Sequence, residues 1–266
     1  MKIGITGANG FIGSHLVKRL SHGKIPYEIF DSTKHDLLKP ETLKDFVSTC
    51  DTIIHLAAKN RDTNANIINT NTLGTAGLLE AITTYSPKKK IIFLSSFQVY
   101  SNSLYGLSKK LAEEIIEFYS KDKGLNAIIL RASNVYGPGC KPFYNSVIAT
   151  FVHLIKKHET LKVNGDGSQK RDYIYVDDVV EAILKAQQTK QKGKIQCFDI
   201  CSGKLTTLRE IIMTLEKISG KKIEVEFKTA AAREEKMEER NFKDAKEHLS
   251  WSPKIELEEG LRKTLI

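Results

Sequence analysis

The sequence predicts an α/β fold: a parallel sheet with helices wound against it. Three observations lead there. The chain opens on a short apolar run, a glycine-rich turn and a helical pattern. Further apolar runs of strand length follow, separated by helical patterns. The length, 266 residues, suits one large α/β domain or a core domain with a small second lobe.

Lys2 to Thr6 reads as a buried strand and Ser14 to Leu20 as a helix, with Gly7-Ala8-Asn9-Gly10-Phe11-Ile12-Gly13 between them. Glycines at 7, 10 and 13 let the backbone turn sharply and come close to a pyrophosphate. The helix N-terminus then offers free N–H groups and the positive end of its dipole. A glycine triplet between a strand and a helix is the context that marks dinucleotide binding, so Gly7, Asn9, Gly10, Phe11, Ile12 and Gly13 are candidate cofactor contacts.

Tyr27 to Phe30 reads as the second strand, ending at Asp31. An acidic residue about 20 positions past the glycine motif accepts hydrogen bonds from ribose hydroxyls and repels a 2′-phosphate, which favours NAD over NADP. Lys34 and His35 are the counter-signal, because either could neutralise that phosphate. Asp36 and Leu37 follow as further cofactor candidates, then a short helix from Pro40 to Ser48. The spacing is too tight for a full strand–helix–strand unit, so one crossover is expected to be abbreviated.

The third strand, Asp51 to Ala58, ends in small residues, and Leu56, Ala57 and Ala58 leave room for a cofactor. His55 lies inside that strand and reads as a packed residue rather than a catalytic one. One helix is expected from Asn64 to Tyr85, carrying Asn71. Lys90 to Leu94 gives another strand, ending at Ser95-Ser96, and Tyr105 follows closely. From Tyr105 the pattern is helical through Tyr119. Tyr105 and Lys109 are four apart and share a helix face. An ammonium beside a phenol lowers a tyrosine pKa from its usual value of about 10, making Tyr105 a candidate acid/base at neutral pH. Ser96, at the strand end, could polarise a carbonyl or alcohol; the alternative is a turn serine.

Asn126 to Arg131 is a further strand, and a loop from Ala132 to Gly139 leads to a helix from Asn145 to His158. Asn164 to Gln169 is turn-like by composition. Arg171 is a candidate phosphate ligand, since its planar fork suits an anionic oxygen pair; the alternative is a surface ion pair with Asp172. A helix then runs to Gln188, Phe198 to Ile200 is a last strand, and the remainder is charged and helical, with Glu256 to Leu265 as a terminal helix.

The formal net charge of +9 sits largely in lysine runs at 88–90, 156–157, 190–194 and 221–222. These read as solvated loops and helix ends that also steer an anionic small molecule. No basic stripe with interleaved aromatics appears, so nucleic acid is not expected. No run reaches the roughly 18 to 20 apolar residues of a membrane span, no signal peptide is expected, and the scattered Cys50, Cys140, Cys197 and Cys201 read as reduced thiols of a cytoplasmic protein without a metal site.

Taken together, Gly7…Gly10…Gly13, His55-Leu56-Ala57-Ala58, Ser95-Ser96…Val99-Tyr100, Tyr105…Lys109, Asn134 to Gly139 and Arg171 to Asp178 resemble the extended short-chain dehydrogenase/reductases, the NAD-dependent epimerase/dehydratase family. The resemblance spans nearly the whole chain, including its tail, Asp244 to Pro253. It implies a Rossmann-type doubly wound parallel sheet (residues 1–133 with 172–201) and a smaller C-terminal substrate-binding lobe (134–171 with 202–266). It implies a nucleotide-diphosphate sugar substrate, NAD or NADP, and a homodimer built on the helices near 70–85 and 104–119. Catalysis would fall to Tyr105, Lys109 and Ser96, with Tyr105, Lys109 and Asn71 also at the cofactor. Ser96, Phe97, Asn134, Arg171 and Arg233 would meet the substrate.

Two departures narrow the expectation. Family dehydratases carry an Asp-Glu pair where this chain has Phe97-Gln98, and Gln98 cannot titrate, so dehydration is not expected. Most members also have a substrate-covering loop of roughly 20 residues where only four residues separate Tyr100 from Tyr105 here. The segment Cys140 to Phe151 resembles reductases of capsular amino-deoxysugar synthesis, which use NADPH and carry an extra cupin domain not seen here. The sequence therefore supports an epimerase, acting at a sugar carbon expected to be C4, with a keto-sugar reductase and a non-enzymatic dinucleotide-binding regulator as alternatives.

Overall fold

A six-stranded parallel sheet carries the architecture. The computed structural model describes residues 1–87, 89–144, 146–189, 195–229 and 237–266. The fully buried β1 (Ile3–Thr6) runs through the glycine turn into α1 (Phe11–His22), and the chain returns as β2 (Tyr27–Ile29). A 3₁₀ turn at Pro40–Leu43 and the six-residue α2 (Lys44–Thr49) lead into β3 (Thr52–His55). That is the abbreviated crossover.

Next come α3 (Asn64–Ile68) and α4 (Gly74–Tyr85), then β4 (Lys90–Ser96), α5 (Leu104–Lys123) and β5 (Asn126–Ala132). The outer lobe contributes β6 (Asn134–Tyr136), α6 (Val147–Lys157), β7 (Leu161–Asn164) and β8 (Lys170–Tyr175). The chain then adds α7 (Val176–Gln188) and β9 (Ile195–Ile200) to the sheet. It ends with β10 (Leu205–Thr207), α8 (Leu208–Ser219), β11 (Val225–Lys228), α9 (Lys243–Leu249) and α10 (Leu257–Leu265).

The strand order is β2-β1-β3-β4-β5-β9, all parallel. From β1 the chain steps outward to β2 and then back across to β3. The order reverses there, and in open parallel sheets that reversal opens a crevice at the strands' carboxyl ends. Two apolar layers flank the sheet. Leu16 and Leu20 of α1 pack with Val179, Val180 and Ile183 of α7 on one face. Leu78 and Ile82 of α4 pack with Ala112 and Ile116 of α5 and Phe46 of α2 on the other. A third core, with Phe151, Tyr175, Ile211 and Leu261, fills the outer lobe. The tail crosses back to the sheet: Ala245, Leu249 and Trp251 join the α1–α7 layer, and Trp251 Nε1 donates to the Asp178 carbonyl at 2.9 Å.

Three expectations change. The helix over 64–85 is not uniform, because residues Asn69–Leu73 form a π turn. Lys90, placed by composition in a solvated run, is instead a cap. Its ammonium donates to the carbonyls of Ala186, Gln187 and Thr189 at 2.7–3.1 Å, closing the C-terminus of α7. The short strands β6, β7, β8, β10 and β11 had no period-2 run long enough to mark them. His55 is fully buried, as its place in an apolar strand requires. It bonds Thr6 Oγ1 at 2.6 Å and Thr75 Oγ1 at 3.0 Å, and burial pushes its pKa down to about 3, so it is neutral.

Candidate active site

The crevice at the strand ends is a cleft of about 740 Å³ between the sheet and the outer lobe. Its floor is the turn after β1. Gly7 has φ +73, and a Cβ there would lie 2.6 Å from the backbone nitrogen of Ala57 and 2.7 Å from the carbonyl carbon of Leu56. Only glycine lets the ends of β1 and β3 approach this closely. Gly13 has the same problem with the turn it faces, since a Cβ would sit 2.8 Å from Ala8 Cα. The helix begins at Gly10, which has no side chain to cap it, so the first N–H groups of α1 face the cleft. A glycine cradle with uncapped helical N–H groups fits a dinucleotide pyrophosphate.

Gly7, Asn9, Gly10, Phe11, Ile12, Gly13, Leu56 and Ala58, the candidate cofactor contacts, line this wall. Ala57 does not line it but is bound into it, donating its N–H to Thr6 Oγ1 at 3.3 Å. Asn71 is buried behind the wall, and the π turn aims it. Its amide oxygen accepts from Lys59 N at 2.7 Å, and its nitrogen donates to Lys59 O and Ser108 Oγ, both at 2.9 Å. It ties the exit of β3 to α5, one residue before Lys109.

Asp31, Asp36 and Leu37 lie beyond the far end of that wall. The Asp31 carboxylate accepts from Thr33 N at 3.0 Å and Thr33 Oγ1 at 2.7 Å, which holds it below the usual carboxylate range. Lys34 sits 3.7 Å from Asp31, and His35 is turned inward, with Nδ1 at 2.7 Å from the Thr42 carbonyl. Of the two groups that could answer a 2′-phosphate, His35 is thus engaged elsewhere, while Lys34 is exposed beside Asp31. Asp36 caps Leu38 N at 2.9 Å, and the Leu37 backbone lies against Gly77 of α4.

The opposite wall carries the candidate reactive groups. Ser96 ends β4 and accepts the Gln98 N–H at 3.1 Å. Ser103 caps α5 by accepting from Gly106 N at 3.0 Å, fixing the helix one turn above Lys109. Ser96, Tyr105 and Lys109 all line the cleft. The electrostatics differ from the sequence expectation. Enclosure by protein pushes the Tyr105 phenol up to about 12, with Ser96 partly offsetting this and the neighbouring Tyr144 phenol adding to it. Lys109 does not lower it, because its ammonium is folded inward, 3.9 Å from the centre of the Phe93 ring. Burial pulls Lys109 itself down to about 7, against an opposing pull from Glu113. Sharing a helix face did not bring the two charges together, since the long lysine stem found an aromatic face first.

Asn134 and Arg171 complete this wall. Asn134 donates to the Asp172 carbonyl at 2.9 Å. Arg171 makes no pair with Asp172. That carboxylate is consumed by Ser133 Oγ, Ser202 N, Ser202 Oγ, Gly203 N and Lys204 N at 2.6–3.2 Å, and the guanidinium lines the cleft with Nη1 donating to the Lys170 carbonyl at 2.8 Å. Phe97 is buried and does not line the cleft. Arg233 lies outside the described residues.

Sequence reasoning missed Asn60, Lys141, Tyr144 and Gln169, all in the lining. Tyr144 reaches across the cleft, its hydroxyl donating to the Arg61 carbonyl at 3.3 Å. The signal available was its place in the Cys140–Phe151 segment. Among the described residues, the lining holds three cationic side chains, Lys109, Lys141 and Arg171, and no carboxylate. The cleft is built for anions.

A parallel sheet with a glycine cradle at its switch point, facing a Ser–Tyr–Lys wall, defines a dinucleotide-dependent enzyme of the short-chain dehydrogenase/reductase type. The model of the NAD dependent epimerase/dehydratase family matches residues 3–201, and the chain belongs to that family. It is similar in structure to UDP-glucose 4-epimerase from Thermotoga maritima, solved with UDP-glucose (TM-score 0.91, 30% identity, 100% of this chain and 97% of that one). It also resembles UDP-glucuronic acid 4-epimerase from Bacillus cereus, solved with UDP-glucuronic acid and NAD (TM-score 0.86, 27% identity, 100% and 98%). In sequence it is 33% identical to UDP-2-acetamido-2,6-beta-L-arabino-hexul-4-ose reductase of Pseudomonas aeruginosa over 73% of this chain, which spans 52% of that protein. Further solved neighbours include an NADPH complex, and the enzyme is NAD(P)-dependent. Among the described residues no helix is long and apolar enough to cross a membrane.

Proposed function

We propose that the protein is an NAD-dependent nucleotide-sugar 4-epimerase. The observation that carries the reading is at the end of β2. Asp31 stays ionised, its carboxylate held by Thr33, and His35 is turned away to the Thr42 carbonyl, a setting that favours ribose hydroxyls over a 2′-phosphate even with the exposed Lys34 beside it. A redox-neutral cycle suits a retained NAD. The full-length likeness to 4-epimerases supports the same conclusion. The bound dinucleotide supplies the hydride acceptor and donor. Tyr105 exchanges the proton of the reacting hydroxyl, Ser96 holds the same oxygen, and Arg171 with Asn134 holds the diphosphate end. Lys109 leaves the Phe93 ring to reach the cofactor ribose.

The test is to denature freshly purified protein and identify the dinucleotide released, then to offer UDP-glucose without added cofactor. Bound NAD with interconversion to the C4 epimer is the expected result. An empty site together with oxidation of NADPH on a 4-keto sugar would overturn it in favour of a reductase. Two observations favour that second reading. A phenol held up near 12 is the resting form of a proton donor, the role reduction asks of it first. The short Tyr100–Tyr105 link and the Cys140–Phe151 segment are also shared with the reductases that the sequence resembles. The carboxylate-free lining speaks against elimination of water under either reading.

We further infer that two copies pair through α5. Leu107 and Phe118 are 50% and 61% exposed, and Leu104, Leu111 and Ile115 complete a stripe at spacings of three and four. Sedimentation should give a dimer that Phe118→Lys weakens; a monomeric wild type would refute the pairing.

A further inference from the structure

Behind the cleft, one side chain joins the cofactor helix to the segment that starts the substrate wall. His15 follows directly on Phe11 to Ser14, the cleft-lining first turn of α1, and is itself half-buried behind the lining. Its ring packs edge-on against Phe11, with centroids 5.5 Å apart. Nε2 lies 2.8 Å from the Pro138 carbonyl, and Nδ1 lies 3.3 Å from the Asp177 carboxylate. Pro138 belongs to the loop leaving β6, and Asp177 to the first turn of α7.

These partners decide the proton count. A carbonyl and a carboxylate only accept. A neutral imidazole has one N–H, so it satisfies one of them and turns a lone pair to the other. The imidazolium has two and satisfies both. Exchanging the two ring nitrogens leaves that count unchanged. The surrounding charges agree with it. The Asp177 carboxylate holds the His15 pKa above its ordinary 6.5, with burial opposing, the Pro138 carbonyl adding, and Lys18 on the same helix pulling down. Asp177 is held below the usual carboxylate range by His15 first, then by Lys263 of α10 and Arg19 of α1. Arg19 also meets Glu181 of α7, at 3.4 Å.

The bond to Pro138 falls where the chain is least constrained. Pro138 stands between Gly137 and Gly139, both at positive φ. Gly139, Cys140, Lys141 and Tyr144 then run along the cleft. A bland account exists: His15 fills space beside Phe11, and Asp177 serves the N-terminus of α7. That account treats each residue alone and gives no reason for an acceptor at both ring nitrogens.

We propose that His15 is a positioning residue, its imidazolium clamping the Pro138 loop to the cofactor helix and so holding the substrate wall in its binding position. The proposal rests on the reading of the chain as a nucleotide-sugar enzyme. Sugar-nucleotide affinity then depends on pH through a group that does not line the cleft. The clamp is complete below the ordinary value of 6.5 and is lost as pH rises through the raised value of the folded protein.

The test has two parts. First, the His15 imidazole is titrated by NMR in wild type and in Asp177→Asn, its signal assigned by its loss in His15→Gln. The wild type should titrate above 6.5, and Asp177→Asn lower than the wild type. A wild-type value at or below 6.5, or one that Asp177→Asn does not move, overturns the clamp whatever the substrate. Second, NAD-saturated wild type and His15→Gln are titrated with UDP-glucose and GDP-mannose from below to above that midpoint. The sugar nucleotide that the wild type binds should bind roughly three- to fivefold more weakly above the midpoint, the scale of one partly exposed hydrogen bond to a charged group. Lys109 titrates in both proteins, so the ratio between them reports His15. In His15→Gln this part of the pH dependence should be absent. Parallel curves overturn the role of His15 alone. A wild type that binds neither sugar nucleotide, with His15 titrating as expected, overturns the functional reading, and this proposal with it.

Discussion

The two walls of the cleft are built in opposite ways. The cofactor wall is local: one strand, one turn and one helix within residues 3–22 supply the cradle, and only the end of β3 comes from elsewhere. The substrate wall is assembled from chain segments around residues 96–109, 132–147 and 169–173. A local wall is fixed by backbone sterics and tolerates little change. A wall made of distant segments is held by side-chain networks, such as the one around the Asp172 carboxylate, and can be retuned one residue at a time. The comparison predicts that a substitution on either wall changes the property of that wall and leaves the other's intact.

The largest effect belongs to the reactive group. Tyr105→Phe should reduce turnover by roughly 10²-fold or more, the scale of acid–base catalysis, with dinucleotide affinity unchanged in a titration. Wild-type turnover would remove Tyr105 from the chemistry, and lost dinucleotide binding would mean the walls are not separable. On the cofactor side, Gly7→Ala places a Cβ against the β3 backbone at a positive φ. The left-handed conformation alone costs about 1–2 kcal/mol of fold stability, and the backbone shift needed to clear β3 moves the N–H groups of the cradle away from the pyrophosphate, so dinucleotide affinity should fall at least about tenfold. Tight binding in that variant would show that the cradle is more adaptable than its contacts indicate.

Arg171→Ala should raise KM for the nucleotide sugar by about tenfold, the lower range for a hydrogen bond to a charged group, without changing dinucleotide affinity. An unchanged KM would return the guanidinium to a surface role, although Asp172 is no longer available as its partner.

The same contrast explains what the sequence disclosed. The glycine turn, the apolar strands and the Ser96, Tyr105 and Lys109 set were legible because each is a short-range pattern with one physical reading. Tyr144 and Gln169 were not, because their place in the cleft depends on how the outer lobe folds back, a matter of long-range packing. His15 was not singled out either, because the two acceptors that meet its ring come from segments far along the chain. The π turn that aims Asn71 leaves no mark in the apolar periodicity. Lys109 shows the opposite failure. Helical spacing placed it correctly, but a flexible stem long enough to reach Phe93 decided where its charge went.

That displaced charge gives the smallest effect, and its sign can be worked out. In the folded protein Lys109 titrates near 7, against an ordinary value of 10.5. Between those values the unfolded chain holds a proton that the folded chain has released, so stability should rise with pH. Below about 7 both states are protonated and the cost of a buried ammonium is carried in full. The buried Cys201 thiol, pushed from 9.0 up to about 12, opposes this trend above about pH 9, and the Tyr105 phenol, also held near 12, does so above about 10. The window for the contribution of Lys109 itself is about pH 7 to 10, and the comparison with a Lys109 variant isolates it. One proton is worth about 1.4 kcal/mol per pH unit, which for a chain of this size is roughly 2–4 °C in Tm. In dinucleotide-free protein, the Tm difference between wild type and Lys109→Met should shrink by that amount per unit as pH rises. Parallel Tm curves across the window would mean that Lys109 keeps its charge in the fold, and that its ammonium lies nearer to Tyr105 or Glu113 than to the Phe93 ring.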